Sequence, residues 1–520
     1  MPGSSGARRP RLPVRGNTVR CLAIGCLGLL LVATTARAEW LVASSDHFVI
    51  YGDQREEAIR EFAARLERLH AGMSVVLGRP QVKPSPSNRV AIYIVSNTAE
   101  VREVTNMASR YVAGVYRARA GGSIAIVPQL TGVRSEYELP AATVLYHEYA
   151  HHFMWSGTAR AYPRWFSEGF AEYFAGVRFK SDGSVAFGAP SSHRAAEYAY
   201  AREVPIRELL EFNGGKAGGL GGDSFYSRSG ILFHYLQTAP ERSGQLARYQ
   251  QLLAQGDSAL EAAEGAFGDL GRLEANMEDY AERRRVATLV VNGEALQVGP
   301  IEVRRLRPGE ADMMPVVVRS KAGVDRDAAA ALLSDAQRIA ARHPGDAAVL
   351  AALAEAEFDA GNDDAAIAAA DRSLAIDPQQ INAHIQKGYA LTRKAGDGKL
   401  PDGAWKQVRA QWIKANKLEN DHPIPLVQYY ASFAAEGQRP PKSAVDGLEW
   451  AMQLAPFDPG VRWMVANQMI EDQRYDTAVA VLRPLAYSPH PGEQTAAALK
   501  LLGEAEAKAG AAAPEVTAAE

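Results

Sequence analysis

Apolar positions recur at two spacings along this 520-residue chain, and the change from one to the other divides it. HFVIYG (47–52) is a short run with β-branched and aromatic residues and predicts a strand. EEAIREFAARLERLHAGM (56–73) repeats its apolar residues every three or four positions and predicts a helix. VAIYIV (90–95) and SIAIVPQ (123–129) predict two further strands, the second entered through Gly121-Gly122 and ended at Pro128. Helical text follows: AATVLYHEYAHHFMW behind Pro140 and closed at Gly157, WFSEGFAEYFAG behind Pro163, SRSGILFHYLQT (227–238), and most of 240–284. Strands first and helices after give an α+β domain over residues 39–285. TLVV (288–291) and MPVVVRS (314–320), with Pro and Gly between them, predict the strands of a small connecting module, 286–324.

From about Asp325 the chain turns alanine-rich, and Pro344 and Pro378 stand 34 residues apart around two amphipathic helices broken at Gly361-Asn362. This segment resembles a tetratricopeptide repeat, with Leu350, Leu353, Ala354, Ala366, Ala370 and Pro378 on that family's packing positions. Gly388 falls where the family has its helix-contact glycine, followed by an insertion, Lys394 to Trp405. Later units end near Pro456, with Ala444 and Ala451 in register, and near Pro491, with Trp463 near the start of the last. The resemblance implies an all-α solenoid over 325–508 whose units bury their apolar faces by stacking and which binds a protein partner or substrate. An unrelated alanine-rich bundle is the alternative. Residues 509–520 read as a disordered tail.

The start of the chain reads as a targeting segment. Arg8, Arg9, Arg11, Arg15 and Arg20 precede the apolar run Cys21–Ala33 and then Ala36-Arg37-Ala38, the order of a basic region, an apolar core and a small-x-small cleavage site. The run has 13 residues, short of the roughly 20 of a membrane-spanning helix, so residues 1–38 are expected to be a cleaved signal peptide with no transmembrane anchor left behind. A lipoprotein through Cys26 is the weaker alternative, because much of the apolar run follows that cysteine. Removing the six arginines of this segment leaves 51 basic against 60 acidic residues, a formal charge of −9 that argues against nucleic acid as a partner. Both cysteines, Cys21 and Cys26, go with the signal, so the exported chain has no thiolate for catalysis, metal binding or disulfides. Periplasm and full secretion are equally compatible destinations.

His147-Glu148-Tyr149-Ala150-His151 reads HExxH. Residues four apart share a helix face, so both imidazoles can meet one ion while Glu148 faces its open side. A catalytic zinc needs a third protein ligand. Glu168, on a separate helix beyond a turn with Gly157 and Pro163, is within reach of a helical hairpin, and Glu172 one turn later can accept the hydrogen bond of a ligand histidine, His147 in the first instance. Only three ligands and no cysteine are visible, which disfavours a closed structural zinc site.

HEYAHHF followed by RWFSEGFAEYF resembles the gluzincin metallopeptidases, and within them the peptidase MA-like exported bacterial proteins that join such a domain to helical repeats. The likeness spans about 40–285 and implies a thermolysin-like catalytic domain with His147, His151 and Glu168 as ligands of Zn2+, Glu148 as general base towards a zinc-held water, and Glu172 in support. Phe225-Tyr226-Ser227-Arg228-Ser229-Gly230 ahead of ILFHYL is similar to the tyrosine-bearing helix of aminopeptidase-like members, although its glycine lies one place late. Tyr226 is the candidate for holding the oxyanion; a packing tyrosine is the alternative.

No G-x-M-E-N stretch precedes HExxH, so the expected activity is that of an endopeptidase acting on a peptide or protein substrate. SIAIVPQ is either the sheet edge along which that peptide lies or an interior strand. His152 points about 100° away from the ligand face and is read as supporting or surface. His193 and His234 read as ordinary histidines, and GGKAGGLGGD (214–223), which no GK[ST] follows, reads as a flexible loop bordering the cleft. The alternative to an enzyme is an inactive peptidase-like scaffold whose repeats mediate protein–protein interaction.

Overall fold

A computed structural model describes residues 39–107, 114–129, 141–156, 161–211, 223–401, 403–488 and 493–512. The signal segment, Pro140, Gly157, Pro491 and all of GGKAGGLGGD except Asp223 lie outside the described residues. Among the described residues no helix is long and apolar enough to cross a membrane.

The first half is built on β1 (Leu41–Ser44), β2 (Phe48–Gly52), α1 (Glu56–Val76), β3 (Val90–Val95), α2 (Thr98–Thr105), β4 (Val115–Arg117) and β5 (Ile124–Pro128). β2, β3 and β5 run parallel, while β1 and β4 are antiparallel to their neighbours β2 and β5. Side chains alternate between the two faces. Phe48, Ile50, Ile92, Ile94, Ala125 and Val127 enter the main core with α1, whereas Tyr93, Val95, Ile124 and Ile126 enter a second core on the other face. Burial on both faces is why these strands read as nearly unbroken apolar runs.

After the sheet come α3 (Ala141–Ser156), α4 (Arg164–Ala175), β6 (Arg178–Phe179), β7 (Val185–Phe187), α5 (Ser192–Tyr200), α6 (Ile206–Glu211), α7 (Phe225–Thr238), α8 (Gln245–Gln255), α9 (Ala259–Phe267) and α10 (Leu270–Ala281). All but α5 contribute residues to, or pack against, the main core under the first sheet face. α7 starts at Phe225, so Tyr226 lies inside its first turn and not ahead of it.

The connecting module does not exist as a separate body. β8 (Leu289–Val291) pairs with β7 in a small sheet, and β9 (Glu302–Arg305) adds to the large sheet beside β1, giving the order β4-β5-β3-β2-β1-β9. MPVVVRS, expected as the module's second strand, lies instead within α11 (Pro308–Ala322), while β9 was not expected. Its β-branched content is overridden by packing: Met314, Val318 and Ala322, spaced by four, enter the sheet's second core, while Met313 and Val316, spaced by three, enter a core shared with the repeats. Pro308 at the first position and Glu310, which accepts from the Arg307 N–H at 2.8 Å, start the helix.

The remainder is an all-α array of tetratricopeptide-like helix pairs: α12 (Arg326–Arg342), α13 (Ala347–Asp359), α14 (Asp363–Ile376), α15 (Ile381–Gly396), α16 (Ala404–Leu418), α17 (Pro423–Ala435), α18 (Lys442–Leu454), α19 (Pro459–Glu471), α20 (Tyr475–Ala486) and α21 (Glu493–Ala512). Leu350, Leu353, Ala354, Ala366, Ala370, Ala444 and Ala451 are buried between helices, while Pro378 sits exposed at a turn between units. A Cβ on Gly388 would lie 2.5 Å from the Trp412 indole, so this contact admits only glycine. Asp325, Asp346 and Asp458 cap their helices by accepting backbone N–H bonds. Of the expected insertion, Lys394 to Gly396 finish α15 and Ala404 and Trp405 start α16, and Asp402 lies outside the described residues. α21 continues to Ala512, so residues 509–512 belong to a helix and not to a tail.

Candidate metal centre

α3 is buried on most of its circumference: Leu145, Tyr146, Tyr149, Ala150, Phe153 and Met154 pack into the core, and His151 is buried among them. With so little polar surface to spare, His147 and His151 need partners, and α4 supplies them. Glu168 is fully buried, and its Oε2 stands 3.2 Å from His147 Nε2 and 3.3 Å from His151 Nε2. The two Nε2 atoms are 3.2 Å apart. Three ligand-type atoms therefore form a nearly equilateral triangle.

The close crossing of α4 on α7 depends on Gly169 of the S-E-G-F run. A Cβ there would fall 2.5 Å from the Ser229 carbonyl oxygen and 2.6 Å from Phe233 Cβ. Gly230 faces Glu172 in the same manner, 3.1 Å from its Cβ. The approach brings Tyr226 close to the histidines, its ring centroid 6.4 Å from that of His147.

Glu172 Oε1 lies 3.1 Å from His147 Nδ1, the atom on the far side of the ring from the triangle. The same oxygen accepts from Arg194 Nη2 at 2.6 Å, and Arg194 Nη1 donates to Glu197 at 2.5 Å. Glu197 in turn accepts the Ser227 N–H at 2.9 Å. A line of charges thus runs from His147 through Glu172, Arg194 and Glu197 to the turn that carries Tyr226, and the Arg194 guanidinium sits 4.7 Å over the Tyr226 ring. Arg194 and Glu197 were not expected from the sequence; their only signal is an i,i+3 pair on a short helix.

The electrostatics follow from burial set against these partners. Burial opposes charge on His147, but its hydrogen bonds to the carboxylates of Glu168 and Glu172 outweigh it and bring the imidazole up to about 10. Burial likewise opposes ionised Glu168, yet His151 and His147 hold its carboxyl well below the usual range. Glu172, desolvated but beside Arg194 and His147, is held at about 2. The carboxylates make the triangle a place for positive charge. Burial, then the Glu168 charge, push the Tyr226 phenol up to about 12 against the pull of Arg164 and Arg194, so it keeps its proton.

Glu148 is half-buried on α3, near enough for its charge to act on the Tyr116 hydroxyl. His152 is no ligand and no surface residue: its Nδ1 lies 2.6 Å from the Tyr116 hydroxyl, and its ring lies 4.3 Å from that of Phe457 in the repeats. His193 bonds to Ser191, and His234 reaches the Gly188 carbonyl at 2.8 Å. SIAIVPQ is interior, since β5 pairs with β3 on one side and β4 on the other; among the described residues the edge on that side is the three-residue β4. A second carboxylate group, Glu203, Glu274 and Glu278, closes on the Arg228 guanidinium at 3.3, 2.6 and 3.5 Å, so its cation is an arginine.

The triangle fits a metal ion. A tetrahedral zinc with ligands at 2.0–2.1 Å has edges of about 3.3–3.4 Å, close to those seen here. Glu168 Oε1 is buried with no hydrogen-bond partner among the described residues, as suits a carboxylate reserved for a cation.

No family model matches the chain, and no curated protein matches it. Solved structures do. A thermophilic TPR protein of Thermus thermophilus is 20% identical over 37% of this chain and 98% of that one, with a TM-score of 0.32. Pseudomonas aeruginosa pilF is 15% identical over 39% and 87%, with a TM-score of 0.31. The TPR domain of P58(IPK) is 13% identical over 56% and 86%, with a TM-score of 0.19.

Proposed function

We propose that the chain is an exported zinc-dependent peptidase of the gluzincin, thermolysin-like kind that cleaves within polypeptides. The observation that carries this reading is the triangle of His147 Nε2, His151 Nε2 and Glu168 Oε2 with edges of 3.2–3.3 Å, backed on its far side by Glu172 and Arg194. Those three side chains would hold the ion. Other divalent metals suit the same atoms. A bound zinc supplies Lewis acidity, polarising a carbonyl and lowering the pKa of water to about 7.

The chain's own residues divide the remaining work. Glu172, fixed by Arg194, accepts a hydrogen bond from the Nδ1–H of His147 and so turns the Nε2 lone pair towards the triangle. Glu148 takes the proton of the attacking water on its carboxylate and passes it to the leaving nitrogen. Tyr226, protonated, donates to the oxygen on which charge develops. A substrate strand lies extended along the sheet edge β4, beside α3. The absence of an amine-holding G-x-M-E-N stretch favours cleavage inside a chain. The arginine-rich start and apolar run support export to the periplasm or medium.

A second reading, a non-catalytic scaffold, is favoured by the repeat array itself, an architecture suited to binding protein. Zinc content and cleavage of an unfolded polypeptide by wild type and Glu148→Gln separate the two. Loss of cleavage only in the variant, with zinc kept, supports the peptidase; no cleavage by either leaves the scaffold.

A further inference from the structure

The array's α13, α15, α17 and the start of α19 present one inner face to the sheet. Two short segments of the first half meet this face at its margin, where α16 turns into α17 and α18 into α19. The turn joining β4 to β5 is held at Ala120, whose N–H donates to Asp458 Oδ2 at 2.6 Å, and at Gly121, whose N–H donates to Asn88 Oδ1 at 3.2 Å. Asn88 itself donates to the Leu454 carbonyl at 2.7 Å. Ser87 gives Glu419 both its N–H, at 2.9 Å, and its hydroxyl, at 2.8 Å, while the Ser85 hydroxyl donates to the Asp421 carbonyl at 2.9 Å.

Shape matches the hydrogen bonding. Gly121 has φ +74°, and a Cβ there would lie 2.7 Å from Ile424 Cγ1 and 3.0 Å from His422 Cε1. The glycine pair that leads into β5 is therefore also the part of the turn that fits between helices of the array. The turn also borders a cavity of about 650 Å³ between the face and the sheet, where Ala120 and Gly121 line one end and Tyr51, Tyr93, Glu355, Gln386 and Tyr389 the rest. The same turn ends β4, whose Tyr116 hydroxyl meets His152 Nδ1 at 2.6 Å, and His152 packs on Phe457 of the segment leading into α19.

We infer that the inner face of the repeat array takes the chain's own β4–β5 turn as its ligand, and that this grip sets the position of the edge strand β4 beside the metal-binding helix. What the strand is held for rests on the peptidase reading; the grip does not. Tyr116, His152, Phe457 and Asp458 are positioning residues, and the array is part of the proposed enzyme's working structure. A partner recruited by the array has to use a different face from this one.

Asp458→Asn tests the grip in the full chain. Oδ1 still caps α19 by accepting from the Val461 N–H, now at 2.8 Å, while an NH2 group replaces the oxygen that faces the Ala120 N–H. Amide hydrogen exchange of residues 114–129 is expected to rise tenfold or more, with α3 unchanged. The KM for an unfolded polypeptide is expected to rise by a similar factor, with kcat within twofold and zinc content unaltered. Gly121→Val, which clashes from the other side, is expected to act the same way, and Lys442→Ala at the exposed start of α18 to change nothing. Unchanged exchange at β4 in both variants overturns the grip, whether or not the chain cleaves anything. Raised exchange with unchanged KM overturns the positioning role. Raised exchange in a chain that never cleaves supports the grip and removes the peptidase reading alone.

Discussion

The helices that carry the candidate metal centre and the repeat helices both bury residues that are poorly apolar, for different reasons. Within the apolar packing of α3 and α4 sit buried ionisable groups, each placed by the next: Glu168 against the histidines, Glu172 against His147, and Arg194 of α5 against Glu172. In the array, beside a few buried polar groups such as Glu357 and Arg462, the helix contacts are made by alanines and glycines such as Ala354, Ala370 and Gly388, which let helices approach. One region is specific through atoms that must be present. The other is specific through atoms that must be absent. Substitutions should therefore separate chemistry from stability.

The largest effect is expected for Glu148→Gln, with turnover lowered up to about 10⁴-fold, roughly 5 kcal/mol of barrier, while thermal stability and zinc content stay near wild type. Steady-state kinetics beside a melting curve reads both. Trp412→Ala is the converse case. Its indole is fully buried, packs on Gly388 and donates to Thr392 at 3.2 Å, so its loss should cost about 3–5 kcal/mol of stability in denaturant titration without changing metal stoichiometry. Smaller than either, Tyr226→Phe should lower kcat about 10²-fold, near 2.7 kcal/mol, with zinc unaffected; an unchanged kcat removes Tyr226 from the chemistry.

The same contrast governs what could be read in advance. His147 and His151 share a turn, and Glu168 and Glu172 share the next helix, so local spacing was enough to name the four residues that the fold brings together. The 34-residue spacing of Pro344 and Pro378 was legible for the same reason. Arg194 and Glu197 were not, because nothing in SSHRAAEY says that α5 will lie against Glu172. MPVVVRS misleads because β-branched residues favour strands in isolation, whereas two cores on opposite sides of α11 favour the helix. β4 has only three residues, too few to show a period, which is why its neighbour β5 was a candidate for the sheet edge. The joining of β8 and β9 to sheets formed by earlier strands is decided by tertiary pairing alone.

Everything proposed for the catalytic half depends on His147, His151 and Glu168 holding a single ion between them. The direct measurement is metal content of the purified chain by native mass spectrometry, wild type beside Glu168→Ala. The account predicts one zinc per wild-type chain and, in the variant, none retained after dialysis. A wild-type chain that keeps no metal, or a variant that keeps its ion as tightly as wild type, would contradict it.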